Sequence, residues 1–182
     1  TPGPGVVKPE WVRGMAPKAI VFACANPVPE IYPYEAKEAG AFIVATGRGD
    51  FPNQVNNSVG FPGILKGALL VRARKITDNM AIAAAHSLAD YAEKRGIDPE
   101  NIIPTMDEAA VFPTEAADVA AAAIKDGVAR VPMSWDEAYR RAQADITSAR
   151  RLTQHLMDEG FIPKVPEGML QDALDWAVAQ VS

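Results

Sequence analysis

The sequence predicts an α/β fold with few parallel strands, followed by a helical C-terminal region. Two short apolar runs, at residues 19–23 and 41–45, have the length and composition of parallel strands that are covered on both faces. A helix-forming segment follows each run, and this strand–helix–strand–helix order is half of a doubly wound domain. Beyond residue 76 the chain is dominated by alanine-rich helical patterns. We therefore expect a small parallel sheet near the start and helices afterwards.

Composition is that of an ordinary globular protein. The 182 residues are 48% hydrophobic and 23% charged, and the net charge is −5. No basic patch stands out, so nucleic acid is not expected as a partner. No apolar run approaches the ~20 residues that cross a bilayer, so no membrane partner is expected either. Cys24 is the only cysteine, which forbids an internal disulfide and favours a reducing compartment, the cytoplasm.

The first elements have recognisable boundaries. Residues 9–15 predict a short helix with proline at its first position. The strand at 19–23 ends before residues 26–29, where two prolines prevent continued pairing. Residues 33–39 predict a second helix, which Gly40 ends because glycine suits the position after a helix.

The loop after the second strand is the centre of the predicted domain. Residues 46–56 contain two glycines, a proline and several amide side chains, and they connect the strand at 41–45 to a helix. Loops of this kind lie at the carboxyl edge of a parallel sheet, where open α/β sheets bind ligands. Amides can donate and accept hydrogen bonds without charge, which suits a hydroxyl, carboxamide or carboxylate. The following helix is expected to bury one apolar face formed by Phe61, Ile64, Leu65, Ala68 and Leu69.

The rest of the chain predicts a brief strand at 102–103 and further helices at residues 77–95, 114–125, 134–157 and 166–181. Thr77 or Asp78 is the expected cap of the first, and Ser134 opens a capping box. The last two helices carry apolar stripes that must pack on something. The predicted division is therefore residues 1–75, residues 76–130, and a helical appendage at 131–182.

Two long motifs carry a resemblance to a known family. The run IVFACANPVPEI at 20–31 and the run GRGDFPNQVNNSVGFPGILKGAL at 47–69 are similar to bacterial and archaeal malic enzymes, the decarboxylating malate oxidoreductases. The similarity is continuous from about residue 2 to 85 and weaker to 130. It implies the second half of a Rossmann-like domain that binds NAD or NADP. The residue that would distinguish the two cofactors is expected outside this segment.

Three asparagines are the candidate site residues. Taken alone, Asn26 reads equally well as a turn residue before proline, and Asn56 and Asn57 read as helix caps. The resemblance implies that Asn26 and Asn57 contact the nicotinamide cofactor. It also implies that Asn26, Asn56 and Asn57 contact the substrate. A capping role and a ligand role are compatible, because the free N–H groups at a helix start attract carboxylates.

The tripeptide Arg48-Gly49-Asp50 supports several interpretations. Arg48 could hold a phosphate or carboxylate, but an ion pair with Asp50 is at least as reasonable. The same tripeptide is an integrin-recognition sequence, although nothing else here is typical of an extracellular protein. Malic enzymes frequently have serine at the position of Gly49, which weakens a ligand role there.

The remaining reactive side chains favour structural roles. Cys24, next to an apolar strand, is expected to be a small core residue. His86 and His155 lie on predicted helices without neighbouring metal ligands, so we expect surface or packing roles.

The resemblance also says what to expect of the reaction. Malic enzymes oxidise malate by hydride transfer to NAD(P) and release CO2 to give pyruvate, with a divalent metal, Mg or Mn. Their acid–base pair, metal ligands and glycine fingerprint precede the segment matched here. We therefore expect no catalytic residue and no metal ligand in this chain, which would be a C-terminal fragment, inactive alone.

Its expected partners are malate or pyruvate, the N-terminal part of the enzyme and a second copy in a dimer. The alternatives are a non-catalytic module that oligomerises through its helices and a small enzyme of another class.

Overall fold

The computed structural model describes residues 5–181. Its elements, in chain order, are α1 (Pro9–Arg13), β1 (Ile20–Ala23), α2 (Pro33–Glu38), β2 (Ile43–Thr46), α3 (Asn57–Leu70), α4 (Asp78–Arg95), α5 (Val111–Lys125), α6 (Trp135–Asp158) and α7 (Met169–Val181). The chain divides into two compact units, with the boundary between Gln143 and Ala144. No described helix is long and apolar enough to cross a membrane.

The sheet of the first unit consists of two parallel strands. β1 and β2 pair in register from Ile20 opposite Ile43 to Ala23 opposite Thr46, and α2 forms the crossover between them. The parallel pairing confirms the predicted α/β fold with few strands. Gly40, with φ of 104°, follows α2 as expected, because that conformation strains residues with a side chain.

The expectation that both strands are covered on both faces is wrong for β1. Ile20 and Phe22 are 52% and 55% exposed, whereas Ala23 is 2% exposed. Successive strand residues point to opposite faces. One face packs on the hydrophobic cluster that includes Val12 and Ala36. On the other face Phe22 lines an open cavity together with residues of α4, so that face is only partly covered.

The expected apolar face of α3 is also not the buried one. Phe61, Leu65 and Leu69 are 52%, 48% and 73% exposed. The buried residues are Val59, Gly63 and Gly67, spaced four apart on the face that contacts α5. Small residues on this face let the two helix backbones approach closely, so the hydrophobic pattern pointed to the wrong side of the helix.

Helices α3, α4 and α5 pack together around the main hydrophobic cluster. The Thr77 hydroxyl accepts a hydrogen bond from the Met80 amide at 3.3 Å, which confirms Thr77 as the α4 cap, and Gly96 follows the last residue of α4 as expected. α5 begins at Val111, three residues before the predicted start. The brief strand predicted at 102–103 does not form, because the Ile102 amide donates instead to the Asn53 side chain.

The final helices differ in burial. The Ser134 hydroxyl accepts from the Glu137 amide at 3.2 Å, as expected for a capping residue, and Ala138 and Ala142 of α6 are fully buried in the first unit. In the second unit α7 begins at Met169, not at Pro166. Gly168 has φ of 85°, which lies outside the right-handed helical region, so the helix starts after it.

Candidate functional site

The candidate site is built where β1 and β2 end. The strands are parallel, so the segment after Ala23 and the segment after Thr46 leave the sheet at the same edge. The second segment folds back on its own strand. The Thr46 amide donates to the Asn53 carbonyl at 3.3 Å, and the Val55 amide donates to the Thr46 carbonyl at 2.8 Å. The loop between β2 and α3 is therefore held at both ends.

Asn53 fixes this loop from inside. Asn53 is 5% exposed and has a φ of 56°. The side-chain nitrogen donates to the carbonyls of Val44 at 3.1 Å and Pro99 at 2.8 Å, and the oxygen accepts from the Ile102 amide at 2.9 Å. Asn53 therefore joins the loop to β2 and to the segment after α4, with its amide fully engaged by the protein.

Asn56 is the cap of α3. Its side-chain oxygen accepts from the Ser58 amide at 3.0 Å, and its nitrogen donates to the Gly47 carbonyl at 2.9 Å. The first bond satisfies one of the unpaired amides of the helix start. The second ties the helix start to the first residue after β2.

Gly47 is where the two loops meet. A side-chain carbon at this position would lie 3.3 Å from the Cys24 carbonyl and 3.8 Å from the side-chain nitrogen of Asn26. Since Asn56 also bonds to Gly47, the structure brings Asn26 and Asn56 next to the same glycine. Cys24 itself is exposed beyond the end of β1, so its predicted role as a core residue is wrong.

Asn57 is the first residue of α3 and is exposed. With Gly60, Phe61 and Ile64 it lines a small open cavity of about 230 Å³. The cap of this helix is Asn56, so Asn57 is not needed for that purpose. Asn26 is likewise exposed, and neither asparagine has a side-chain hydrogen bond within the part of the chain that the structure describes.

The Arg48 side chain connects the loop after β2 to the loop after β1. Its guanidinium donates to both carboxylate oxygens of Asp50, at 2.8 and 2.5 Å, and to the Pro27 carbonyl at 3.1 Å. The hydrogen bond from Arg48 holds the pKa of Asp50 below its usual range. The ion-pair interpretation of this arginine is the one that the structure adopts. Arginine and aspartate bind each other here, which disfavours both a phosphate-binding arginine and integrin recognition.

Glu115 is a buried carboxylic acid that the sequence reasoning missed. It is fully buried on α5, against Gly60 and Gly63 of α3, and neither of its oxygens has a hydrogen-bond partner among the described residues. Burial raises its pKa to about 8. The available signal was an acid inside an alanine-rich helix, together with a preceding helix that has glycines four residues apart.

The described residues do not form a metal site. Within residues 5–181 no group of three or more His, Cys, Asp or Glu side chains could hold a metal ion. His86 and His155 are exposed on α4 and α6, in agreement with the surface role expected of them.

The arrangement is suited to binding an uncharged amide or a carboxylate. Asn26 and Asn57 offer amide donors and acceptors, and the start of α3 carries the partial positive charge of a helix N-terminus.

Comparison with known proteins places the chain in a family. Residues 4–126 match the sequence model described as malic enzyme, NAD binding domain. The chain is 47% identical over 133 residues to the bifunctional malic/malolactic enzyme of Bacillus subtilis, a match that covers 73% of this chain and 32% of that protein. It is 45% identical over 127 residues to the NAD-dependent malic enzyme of Geobacillus stearothermophilus, covering 70% and 26% respectively. The chain thus spans about a third or less of these relatives.

Solved structures agree with the sequence comparison. The crystal structure of Entamoeba histolytica malic enzyme superposes with a TM-score of 0.95 at 67% identity, covering all of this chain and 38% of that one. The malic enzyme from Pyrococcus horikoshii superposes with a TM-score of 0.80 at 49% identity, covering 87% and 36%. Since the family model alone matches more than half of the residues, the chain belongs to the malic enzyme family, with residues 4–126 in its NAD-binding domain.

Proposed function

We propose that this chain forms the nicotinamide- and substrate-facing wall of an NAD(P)-dependent malate oxidoreductase, which converts malate to pyruvate and CO2. The observation that carries the proposal is the meeting of the two loops at Gly47, which lies next to Asn26 and bonds to Asn56 at the start of α3. The printed names of the relatives, NAD- and NADP-dependent malic enzymes, support both the substrate and the cofactor class.

The three asparagines would have different binding roles. Asn26 and Asn57 are exposed, so their amides can contact the nicotinamide and the substrate. Asn56 is already bonded to Gly47 and Ser58, but its second amide hydrogen and second oxygen lone pair remain for a substrate carboxylate. We propose that Asn56 contacts the substrate through these while it fixes the start of α3.

The bound cofactor would be NAD or NADP, which accepts the hydride from the malate carbon. The uncharged amides of Asn26 and Asn57 fit its carboxamide. The divalent metal, Mg or Mn, does not fit the described residues, which contain no adequate ligand group. We propose that the metal ligands and the acid–base pair belong to the N-terminal part of the enzyme, which this chain would complete in a homodimer in the cytoplasm.

The test is kinetic and uses a complete enzyme that contains this segment. Asn57→Ala and Asn26→Ala should each lower kcat/KM for malate, because a lost hydrogen bond to a charged group costs roughly 1.5–3 kcal/mol, about tenfold to a hundredfold in rate. Neither change should lower the thermal midpoint much, since neither side chain bonds to described protein groups. Asn79→Ala, at an exposed asparagine on α4 whose side chain donates to Asp126 at 2.8 Å, is the control for the kinetics and should leave them unchanged.

The outcomes separate the possible placements of the ligand. Loss of activity in Asn26→Ala alone would put the ligand on the first loop and remove Asn57 from the site. Wild-type kinetics in both variants would contradict the proposal.

A further inference from the structure

A cavity with polar walls lies between α4, α5 and the first residue of α6, within the first unit. Its volume of about 370 Å³ falls in the range of roughly 300–1,000 Å³ that is usual for small-molecule sites. Ser87, Asp90 and Lys94 line it from α4, Asp118 from α5 and Trp135 from α6. We call this surface the polar cleft.

Ser87 is the buried residue of the polar cleft. It is 3% exposed, and its hydroxyl has no hydrogen-bond partner among the described residues. A serine inside a helix usually faces solvent or bonds to the carbonyl four residues earlier, and this hydroxyl does neither. A buried polar group without a partner is unfavourable. Since Ser87 lines the polar cleft, a polar molecule held there is the available source of a partner.

The charged side chains of the polar cleft do not neutralise one another. Asp90 and Lys94 are four residues apart on α4, a spacing at which opposite charges often pair, yet neither forms an ion pair with the described residues. Asp118 accepts a hydrogen bond through Oδ1 from the Trp135 indole at 2.7 Å, which leaves its second carboxylate oxygen available. Two negative groups and one positive group therefore surround one cavity without ionic partners.

Trp135 gives the polar cleft a fixed aromatic wall. Its indole is held by the hydrogen bond to Asp118 and stacks on the Tyr139 ring, with the centroids 5.3 Å apart. Tyr91 adds a second aromatic side chain to the lining. A ring that is already held in place offers apolar surface at little entropic cost, and its face also attracts an ammonium group.

We propose that the polar cleft binds a free α-amino acid in its zwitterionic form. The ligand ammonium would lie between Asp90 and Asp118, the ligand carboxylate would face Lys94, and the ligand would give the Ser87 hydroxyl its partner. Lys94 would repel a simple cation, and the two aspartates would repel a simple anion, so a ligand with both charges suits this lining best. The inference does not depend on the proposed function.

The original chain tests whether an amino acid binds. Each common L-amino acid is added separately, and the thermal midpoint is measured. One that binds the folded chain should raise the midpoint by about 3 °C or more when its concentration is about ten times Kd. Isothermal titration calorimetry then gives Kd. If no amino acid raises the midpoint at about 10 mM, the polar cleft holds water only and the proposal is wrong.

Charge variants place the bound amino acid. Asp90→Asn, Asp118→Asn and Lys94→Met should each raise Kd about tenfold or more, because each removes one charged partner of the ligand. Asp118→Asn keeps an acceptor for the indole hydrogen bond. Asp107→Asn and Lys8→Met make the same chemical changes at exposed residues outside the polar cleft and should leave Kd unchanged. Equal Kd values in the cleft variants and the control variants would rule out this site.

Ser87→Ala separates binding from packing. Because it removes a hydroxyl without a partner, it should leave the midpoint of the ligand-free chain unchanged or higher, while Kd rises severalfold. Ser148→Ala, at an exposed serine of α6, is the control and should change neither quantity. Normal amino acid binding by Ser87→Ala would contradict the proposal.

Partial ligands test the requirement for both charges. Methylammonium chloride and sodium acetate each carry one of the two charged groups, and each should bind at least about tenfold more weakly than the amino acid, because it loses a charged contact. If methylammonium or acetate alone binds as tightly, the polar cleft is a site for a simple ion and the assignment to an amino acid fails.

Discussion

Residues of the same type in the loop before α3 have different roles because their environments differ. Asn53 is buried, and its side-chain amide hydrogen-bonds to protein groups through both its nitrogen and its oxygen. Asn56 caps α3. Asn57 is exposed, and its side chain has no hydrogen bond to the described residues. A run rich in asparagine reveals none of this by itself. Only the hydrogen bonds decide which amides hold the protein together and which can hold a ligand.

The cap at Asn56 leads to a stability prediction. Asn56→Ala should lower the free energy of unfolding by about 1 kcal/mol, because it leaves the Ser58 amide without its acceptor. Asn56→Asp keeps an acceptor at the helix start and loses only the bond to Gly47, so it should be less destabilised. Urea unfolding measures both variants, and Asn57→Ala, which removes no cap, serves as the control. Equal loss in Asn56→Ala and Asn57→Ala would contradict the assignment of the cap.

Glu115 predicts a pH dependence of folding. Its pKa is about 8 in the folded state against 4.5 for the ordinary side chain, so the folded protein keeps a proton that the unfolded chain releases. The protonated carboxyl therefore gives its full stability below pH 4.5, and that stability is lost as the pH rises towards 8. One proton of difference corresponds to about 1.4 kcal/mol per pH unit between these limits.

The variant Glu115→Gln isolates this effect, because the amide has nearly the same shape and cannot ionise. The stability of Glu115→Gln relative to the original chain should rise with pH between about 4.5 and 8, as measured by urea unfolding across that range. Glu10→Gln, at an exposed acid on α1, is the control for a general charge effect. A difference in stability between Glu115→Gln and the original chain that does not change with pH would show that Glu115 is not held protonated by the fold.

At the scale of elements, the contact between α3 and α5 depends on glycine. A side-chain carbon at Gly67 would lie 2.5 Å from the Ala116 carbonyl oxygen and 2.7 Å from the β-carbon of Val119. Both are nearer than real contacts allow, so the helices could not keep their separation. The close approach of the α3 and α5 backbones at Gly67 could not be predicted from the apolar pattern of α3, because glycine does not contribute to that pattern.

Substitution of these glycines should distinguish close approach from helix propensity. Gly67→Ala should destabilise the protein by roughly 1–3 kcal/mol, the usual cost of overpacking a buried contact. Gly60→Ala is the matched control in the same helix, where the nearest atoms would be 3.9 Å away. Since alanine favours helix over glycine by up to about 1 kcal/mol, Gly60→Ala should be neutral or stabilising. Thermal midpoints of the two variants give the comparison, and equal midpoints would show that the helices are not held at contact distance.

The order and type of most elements were predictable because local signals are strong. Prolines and Gly40 mark the ends of the first elements, and Thr77 and Gly96 mark the ends of α4. Each of these residues lies next to the helix or strand whose end it sets. The start of α7 was misplaced because proline at a first helical position is common, whereas the conformation of Gly168 could not be read from the chain. The brief strand at 102–103 was wrong because the Ile102 amide bonds to Asn53, 49 residues away.

At the scale of the whole molecule, the isolated chain should not reduce NAD or NADP with malate. It spans about a third or less of the length of its curated relatives, and its described residues contain no metal-binding cluster. The measurement is steady-state turnover of the pure chain with manganese and either cofactor. Turnover would mean that this chain contains a complete catalytic set, which contradicts the proposal that another part of the enzyme supplies it.

The division into residues 1–75, 76–130 and 131–182 stays a proposal about folding units. The compact units of the structure meet between Gln143 and Ala144, inside α6. Limited proteolysis bears on the proposal, because cleavage near residue 130 would support an appendage that begins with α6.

By itself the sequence determined the fold class and the family, and it predicts a ligand site at the carboxyl edge of the sheet. These follow from patterns local in the chain: apolar runs, breakers and two long motifs. Tertiary structure alone decided which face of α3 is buried, that Gly47 joins the two loops, and that Glu115 is buried without a hydrogen-bond partner among the described residues. Each of these features depends on contacts between groups that are far apart in the sequence. The distances between those groups in the folded chain determine how favourable the contacts are, and no local sequence pattern encodes those distances.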